Sequence, residues 1–306
     1  MRSDYLLMKK LVFYLFFYCI ASTSNACDVC GYGNAINTMG LLPQFSNSFL
    51  GFRYANQNFI TTHPDDNDKE ADRFMQIELT GRYVCSKRFQ CSFSVPYAVN
   101  QQVGSDNIHT KGWGDISAFV TYTAMPTTKI GGTSFYHALQ LTGGIKMPTG
   151  TYKSDFSIPT FNEHLYPGTG TWDIMPAINY IINSKHIGFN LDFSIKYNAT
   201  NKYSYKMGNQ SNGNFKLFYN KITSVATFIP FIAIGYLSSQ ADINASNEVL
   251  YTGGYEWNLQ FGTDFKIKNF MLGVQYLKPI DQNWNAGYSC HESKVSMRIL
   301  YFFSNK

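Results

Sequence analysis

Arg88-Phe-Gln-Cys-Ser-Phe-Ser-Val-Pro-Tyr-Ala-Val-Asn100 alternates apolar and polar side chains with a period of two. Phe89, Cys91, Phe93, Val95, Tyr97 and Val99 fall on one face, and Gln90, Ser92, Ser94 and Asn100 on the other. Only an extended strand with one apolar face needs that pattern. It recurs in 186–198, where Ile187, Phe189, Leu191, Phe193, Ile195 and Tyr197 oppose His186, Asn190, Asp192, Ser194 and Lys196. It recurs again in 294–303, with Val295, Met297, Ile299, Tyr301 and Phe303 against Lys294, Ser296 and Arg298. Working outward gives twelve strands: 48–60, 73–84, 88–100, 113–124, 135–147, 170–182, 186–198, 212–220, 224–238, 254–267, 269–279 and 293–303. An even number suits a closed bacterial barrel.

The gaps between these strands alternate in length. Those at 61–72, 101–112, 148–169, 199–211, 239–253 and 280–292 are long and rich in Asn, Asp, Ser, Thr and Gly. Those at 85–87, 183–185, 221–223 and 268 are short, and 125–134 is intermediate. Long outer loops facing short periplasmic turns have this rhythm. The expectation is an all-β, transmembrane, up-and-down antiparallel β-barrel of about twelve strands over 48–303, with both termini periplasmic.

Composition agrees. Of 306 residues only 15% are charged, against about 25% in an ordinary soluble protein, while 17% are aromatic. Beyond the N-terminus there is no apolar run of the roughly 20 residues that a membrane helix requires. Residues 1–26 read as a signal peptide: Lys9-Lys10 precede the apolar run 11–20, and Ser24-Asn25-Ala26 fits a small-x-small cleavage site. Removing Arg2, Lys9, Lys10 and Asp4 with it takes the formal charge from +5 to +3. No basic block remains, so nucleic acid is not an expected partner. Residues 27–47 form a periplasmic segment and 304–306 a short tail. The expected location is the outer membrane of a Gram-negative envelope.

Aromatic placement follows the same topology. Tyr83, Tyr122, Tyr180, Tyr219 and Tyr301 end strands on the periplasmic side. Trp113, Trp172, Trp257 and Trp284 map to the outer rim or its loops, with Tyr97, Tyr197 and Tyr276 nearby. Two aromatic belts mark the two membrane interfaces. Stretch 225–237 is apolar on both faces, and 170–182 points Met175, Ala177 and Ile181 inward. Such inner apolar walls pack the interior of a narrow barrel or line a path for greasy solutes.

By parity Glu78, Arg82, Asp115, Lys146, Asp173, Asp192, Lys196, Asp264, Lys266 and Arg298 face the lumen and line the expected solute path. Both signs are represented, which argues against a strongly anion-selective pore. Lys146 between Asp115 and Asp173 on neighbouring strands makes an ion network. It reads either as a charged constriction at the mouth or as a structural device that pins loop 148–169.

These residues lie in three clusters: Gly112-Trp113-Gly114-Asp115-Ile116, Gly144-Ile145-Lys146-Met147-Pro148-Thr149-Gly150, and Pro167-Gly168-Thr169-Gly170-Thr171-Trp172-Asp173. In this order and spacing they resemble the outer-membrane barrels grouped as the "MetA-pathway of phenol degradation" family of transporters. Members show G-x-G-D-aliphatic, K-x-P-T-G and G-T-G-[ST]-x-D at successive strand ends. The resemblance implies a barrel that moves small hydrophobic or aromatic compounds across the outer membrane. The chain departs from the pattern in carrying Cys27-Asp28-Val29-Cys30 ahead of the barrel.

Cys27 and Cys30 read as a disulfide, a metal or redox half-site, or a lipid attachment at Cys27. Cys85 and Cys91 flank one turn and read as a cross-strand disulfide or as two small apolar residues. If Tyr83 pairs with Phe93, Cys85 lies opposite Cys91. His291-Glu292-Ser293 is the one hint of a hydrolase, but it lacks an orienting partner and an oxyanion donor in sequence. The remaining histidines read as loop residues exposed to water. No cofactor, metal or catalytic set is expected; the expected partners are outer-membrane lipid and a small solute, with the oligomeric state unassigned. The leading function is passive passage of small solutes. A plugged barrel whose loops bind a partner comes second, and an outer-membrane hydrolase third.

Overall fold

A computed structural model of the chain describes residues 47–62, 68–104, 107–152 and 163–303. The leader, the Cys27 to Cys30 segment and the tail 304–306 lie outside the described residues. The chain is all-β, a closed antiparallel barrel of twelve strands. They are β1 (Ser48–Thr62), β2 (Lys69–Val84), β3 (Phe89–Val103), β4 (Ile108–Trp113, continued as Ser117–Lys129) and β5 (Tyr136–Lys146). Then come β6 (Asp173–Asn183), β7 (Ile187–Lys196), β8 (Gln210–Tyr219), β9 (Ala226–Ser239), β10 (Gly254–Ile267), β11 (Phe270–Trp284) and β12 (Ser289–Phe303). Each strand pairs with its sequence neighbours, and β1 closes onto β12 with Ser48 opposite Phe303. Closure leaves no edge strand for a lipid environment to strip of hydrogen bonds.

Alternation decides the two faces. Along β3, Ser92, Ser94, Ala98 and Asn100 are buried, while Phe89, Cys91 and Phe93 are exposed on the outside. Leu50, Phe52, Ile77, Leu191, Phe265 and Ile299 continue the same outer apolar band around the barrel. Short turns are held locally: the Ser86 hydroxyl accepts from the Arg88 and Phe89 amides, and the Ser184 hydroxyl accepts from His186 and Ile187. These are the turn-forming bonds that serine offers.

Several strands run further than alternation predicts. The second begins at Lys69 instead of 73, the fourth spans Ile108 to Lys129, the eleventh reaches Trp284 and the twelfth begins at Ser289. Much of the expected loops 61–72, 101–112 and 280–292 is therefore strand. Outside the apolar band both faces are polar, so the period-two signal fades while the backbone ladder continues.

The interior is layered. At the turn end, where the short connections lie, Phe49, Met271, Leu300 and Phe302 form one apolar cluster, and Ala138, Ile181, Phe218, Ile229 and Phe231 another. Phe119 and Met175 form a smaller one. At the loop end, Phe59, Phe74, Leu165, Leu237 and Trp284 close over the lumen. Polar and charged side chains fill the layer between. The both-sided apolar stretch 225–237 is thus explained by packing: Ile229, Phe231, Ala233 and Leu237 are buried, and Phe228, Ile232 and Ile234 face outward.

Candidate functional site

All ten lumen candidates lie on the inner wall. Glu78, Arg82, Asp115, Lys146, Asp173, Asp192, Lys196 and Asp264 are buried, and Lys266 and Arg298 are partly buried. They form separate networks rather than a continuous charged ring. At the rim, Lys146 Nζ lies 2.7 Å from both Asp115 Oδ2 and Asp173 Oδ2. Asp115 also accepts from the Gly150 and Thr169 amides, each at 2.9 Å, and from the Thr169 hydroxyl. One carboxylate thereby grips both ends of the loop between β5 and β6. Asp173 accepts from Thr171 and from the Ala199 amide, extending the grip to the next loop.

The glycines of the three clusters explain themselves here. A Cβ on Gly150 would lie 2.7 Å from the Gly114 carbonyl carbon, and one on Gly168 would lie 2.7 Å from that of Gly150. Three backbones pass in contact, which a side chain would prevent.

Deeper in the lumen, Arg298 makes two-pronged bonds to Asp264 at 2.6 and 2.7 Å across Gly273 of the strand between them. Arg53 pairs with Glu78, which also accepts from the Ser94 hydroxyl. Asp192 accepts from Asn214. Gln275, Gln260 and Asn214 continue in a carboxamide chain around the wall. Lys266 lies over the Phe302 ring and Arg82 over Phe49, each at about 5 Å. Ion pairs thus neutralise Lys146, Arg53 and Arg298, whereas Lys266 and Arg82 rest against aromatic rings.

Sequence reasoning missed several lumen groups. Arg53, Lys216, Glu256 and Lys294 share its central cavity with Asp192 and His291. That cavity is about 70 Å³, room for a few water molecules. His291 is buried; its Nδ1 lies 2.7 Å from Glu256 Oε2 and its ring stacks on Phe59. His164, expected as a loop residue in water, is also buried, 2.6 Å from Asp242. Asp242 also accepts from the Tyr205 hydroxyl and the Gly208 amide, tying three long loops together. A regular alternation would have exposed Arg53 and Lys216 as inward charges, whereas no local pattern marks Asp242.

Among the girdle residues, Trp113, Trp172, Trp257, Tyr83 and Tyr301 are exposed on the outer face, and Tyr122 and Tyr180 are partly so. Trp284 is a correction: it is fully buried, turned into the lumen, and its indole donates to Glu256. Cys85 and Cys91 are free thiols with Sγ atoms 3.3 Å apart. The register differs from expectation, since Tyr83 pairs with Cys91, and Cys85 faces Phe89. The tight Ser86 turn draws the strands two residues closer to the hairpin tip, which makes the cysteines diagonal neighbours. Among the described residues no cluster of three or more His, Cys, Asp and Glu side chains is placed to hold a metal ion.

With this geometry in view, solved structures place the architecture. An outer-membrane channel from Pseudomonas putida F1 superposes with a TM-score of 0.63 at 13% identity, covering 84% of this chain and 96% of that one. The fold is that of an outer-membrane barrel. The β-domain of the Bordetella autotransporter BrkA overlaps more loosely, with a TM-score of 0.48 at 10% identity over 84% of this chain and 100% of that one. No family model matches the sequence, and no curated protein matches it.

Proposed function

We propose that this barrel is an outer-membrane channel for passive passage of small solutes, held narrow in its resting state by its own loops. The observation that carries the reading is the polar central cavity. Arg53, Lys216, Lys294, Asp192 and Glu256 line it inside a wall whose outer face is apolar. A barrel with no traffic has little need to bury so many charges, because each burial costs desolvation that pairing only partly offsets. The turn end is the periplasmic end in this reading, and residues 1–26 are the export signal. The ten lumen candidates, with Arg53, Lys216, Glu256 and Lys294, form the path, and residues 27–47 lie in the periplasm. The three glycine clusters support membership of the phenol-degradation barrel family, and with it a preference for small hydrophobic or aromatic solutes.

A second reading, a plugged barrel whose loops are the working surface, is favoured by Leu165. Its carbonyl accepts from Asn100 at 2.8 Å and from Thr110, and its side chain is fully buried in the cluster with Phe59, Phe74 and Trp284. For a hydrolase, the His291–Glu256 pair lacks a nucleophile, since among the described residues nothing hydrogen-bonds to His291 Nε2.

Liposome swelling separates the first two readings. Vesicles carrying the refolded barrel are expected to swell in small sugars and aromatic acids, with rates that fall as solute size rises. Swelling no faster than in protein-free vesicles would leave the plugged reading.

A further inference from the structure

Among the described residues the backbone ladder of the barrel is interrupted longest along one seam. β11 and β12 pair from Phe270 and Tyr301 to Leu277 and Lys294, and pairing resumes only at Trp284 and Ser289. Between those points the six residues 278–283 face the four residues 290–293 with no ladder pair between them. Two more defects fall at the same height. β10 and β11 slip between Trp257 and Asn258, which leaves Ile280 without a partner in β10. β1 and β12 slip between Asn58 and Phe59, which leaves Glu292 without a partner in β1. Pro279, inside the gap, has no N–H to give.

Side chains close the gap in place of backbone. The Gln282 carboxamide accepts from the His291 amide at 2.8 Å and donates to the His291 carbonyl at 3.1 Å. Those are the two bonds that a facing strand residue would have made. Lys278 Nζ donates to the Glu292 carbonyl at 2.8 Å. Each contact hangs on one flexible side chain that regains rotamer freedom when it lets go.

The gap separates two different surroundings. Inside it lies the central cavity, with Leu237, Leu277, His291 and Lys294. Outside, Ile280, Tyr276 and Trp257 are exposed. Trp257 pairs with Asp281, so the seam sits at the outer aromatic belt. We propose that the β11–β12 seam is a lateral port between the central cavity and the outer half of the membrane, latched by Gln282 and Lys278. Its cargo is a molecule with one polar group and an apolar body. The polar group suits the cavity, and the body suits Leu237, Leu277 and the lipid beyond Ile280. The port rests on the channel reading for its inner end.

A diazirine-bearing fatty acid in phospholipid vesicles tests the port. After illumination, mass spectrometry reads label on the inward Leu237 and Leu277 and on the outward Leu272 and Val274. The port predicts inward label in the unmodified barrel, several-fold more in Gln282→Ala or Lys278→Met, and loss of it on locking. The lock is Gln282→Cys joined to Cys290 by a short bismaleimide, in a chain whose other cysteines are serine; Cys290 Sγ lies 3.2 Å from Gln282 Nε2. Outward label is expected to stay constant throughout. Inward residues unlabelled in Gln282→Ala and Lys278→Met alike would overturn the port, as would inward label that survives the lock. Ion conductance of the locked barrel reads the axial path alone, so a failed channel reading shows up separately.

Discussion

The break in β4 at residues 114–116 and the break between β11 and β12 interrupt the same wall and are closed in opposite ways. At β4 the closure is redundant. The Gly114 amide reaches Pro96, Met147 reaches Ile116, and the Thr149 hydroxyl accepts from Ile116. Asp115 then grips Gly150 and Thr169 while Lys146 neutralises it. At β11–β12 a carboxamide and an ammonium group do the same duty. Closure by backbone bonds and a buried ion network together makes a wall, whereas closure by two mobile side chains makes a latch. The first lies beneath the in-folded loop and the second beside the central cavity, so one side of the mouth is rigid and the other is able to give.

Breaking the rigid side should cost most. Lys146→Met leaves Asp115 and Asp173 buried without their cation, a loss of about 3–5 kcal/mol, read as an earlier urea midpoint in heat-modifiable gel migration. Removing the loop's apolar anchor comes next. Leu165→Ala should cost about 2–5 kcal/mol by the same assay and should raise conductance, because the closure over the lumen loses its centre. Gly150→Ala forces a Cβ against Gly114 and should cost about 1–3 kcal/mol. The smallest effect belongs to the latch: Gln282→Ala should lose only about 1 kcal/mol. A Gln282→Ala barrel that unfolds as early as Lys146→Met would erase the contrast. Combining Lys146→Met with Gln282→Ala sharpens it, since independent closures predict additive losses.

Strand number and facing were legible because lipid on one side and a polar lumen on the other force period-two alternation. Phe89 to Asn100 carries that signal without interruption. Asp115, Lys146 and Asp173 were legible for the same reason, each being an inward position one to three residues after a glycine. The signal failed where the forcing ends. Lys69 to Asp72 lie beyond the apolar band and Ile280 to Trp284 at its outer edge, so strands there read as loop. Asp242, His164 and Tyr205 meet only because three loops fold over one another, and no local spacing encodes that. Bulges at Ile280 and Glu292 shift parity within a strand, which hid His291 from an alternation count. The diagonal approach of Cys85 and Cys91 depended on turn geometry that alternation does not specify.

The central claim is an axial path narrowed by a loop that Asp115 and Lys146 hold in place. Single-channel recording of the refolded barrel in a planar bilayer tests it most directly. The account predicts small, stepwise conductance from the unmodified protein and larger steps from Leu165→Ala. Silence from both, in samples shown by gel migration to be folded, would contradict it.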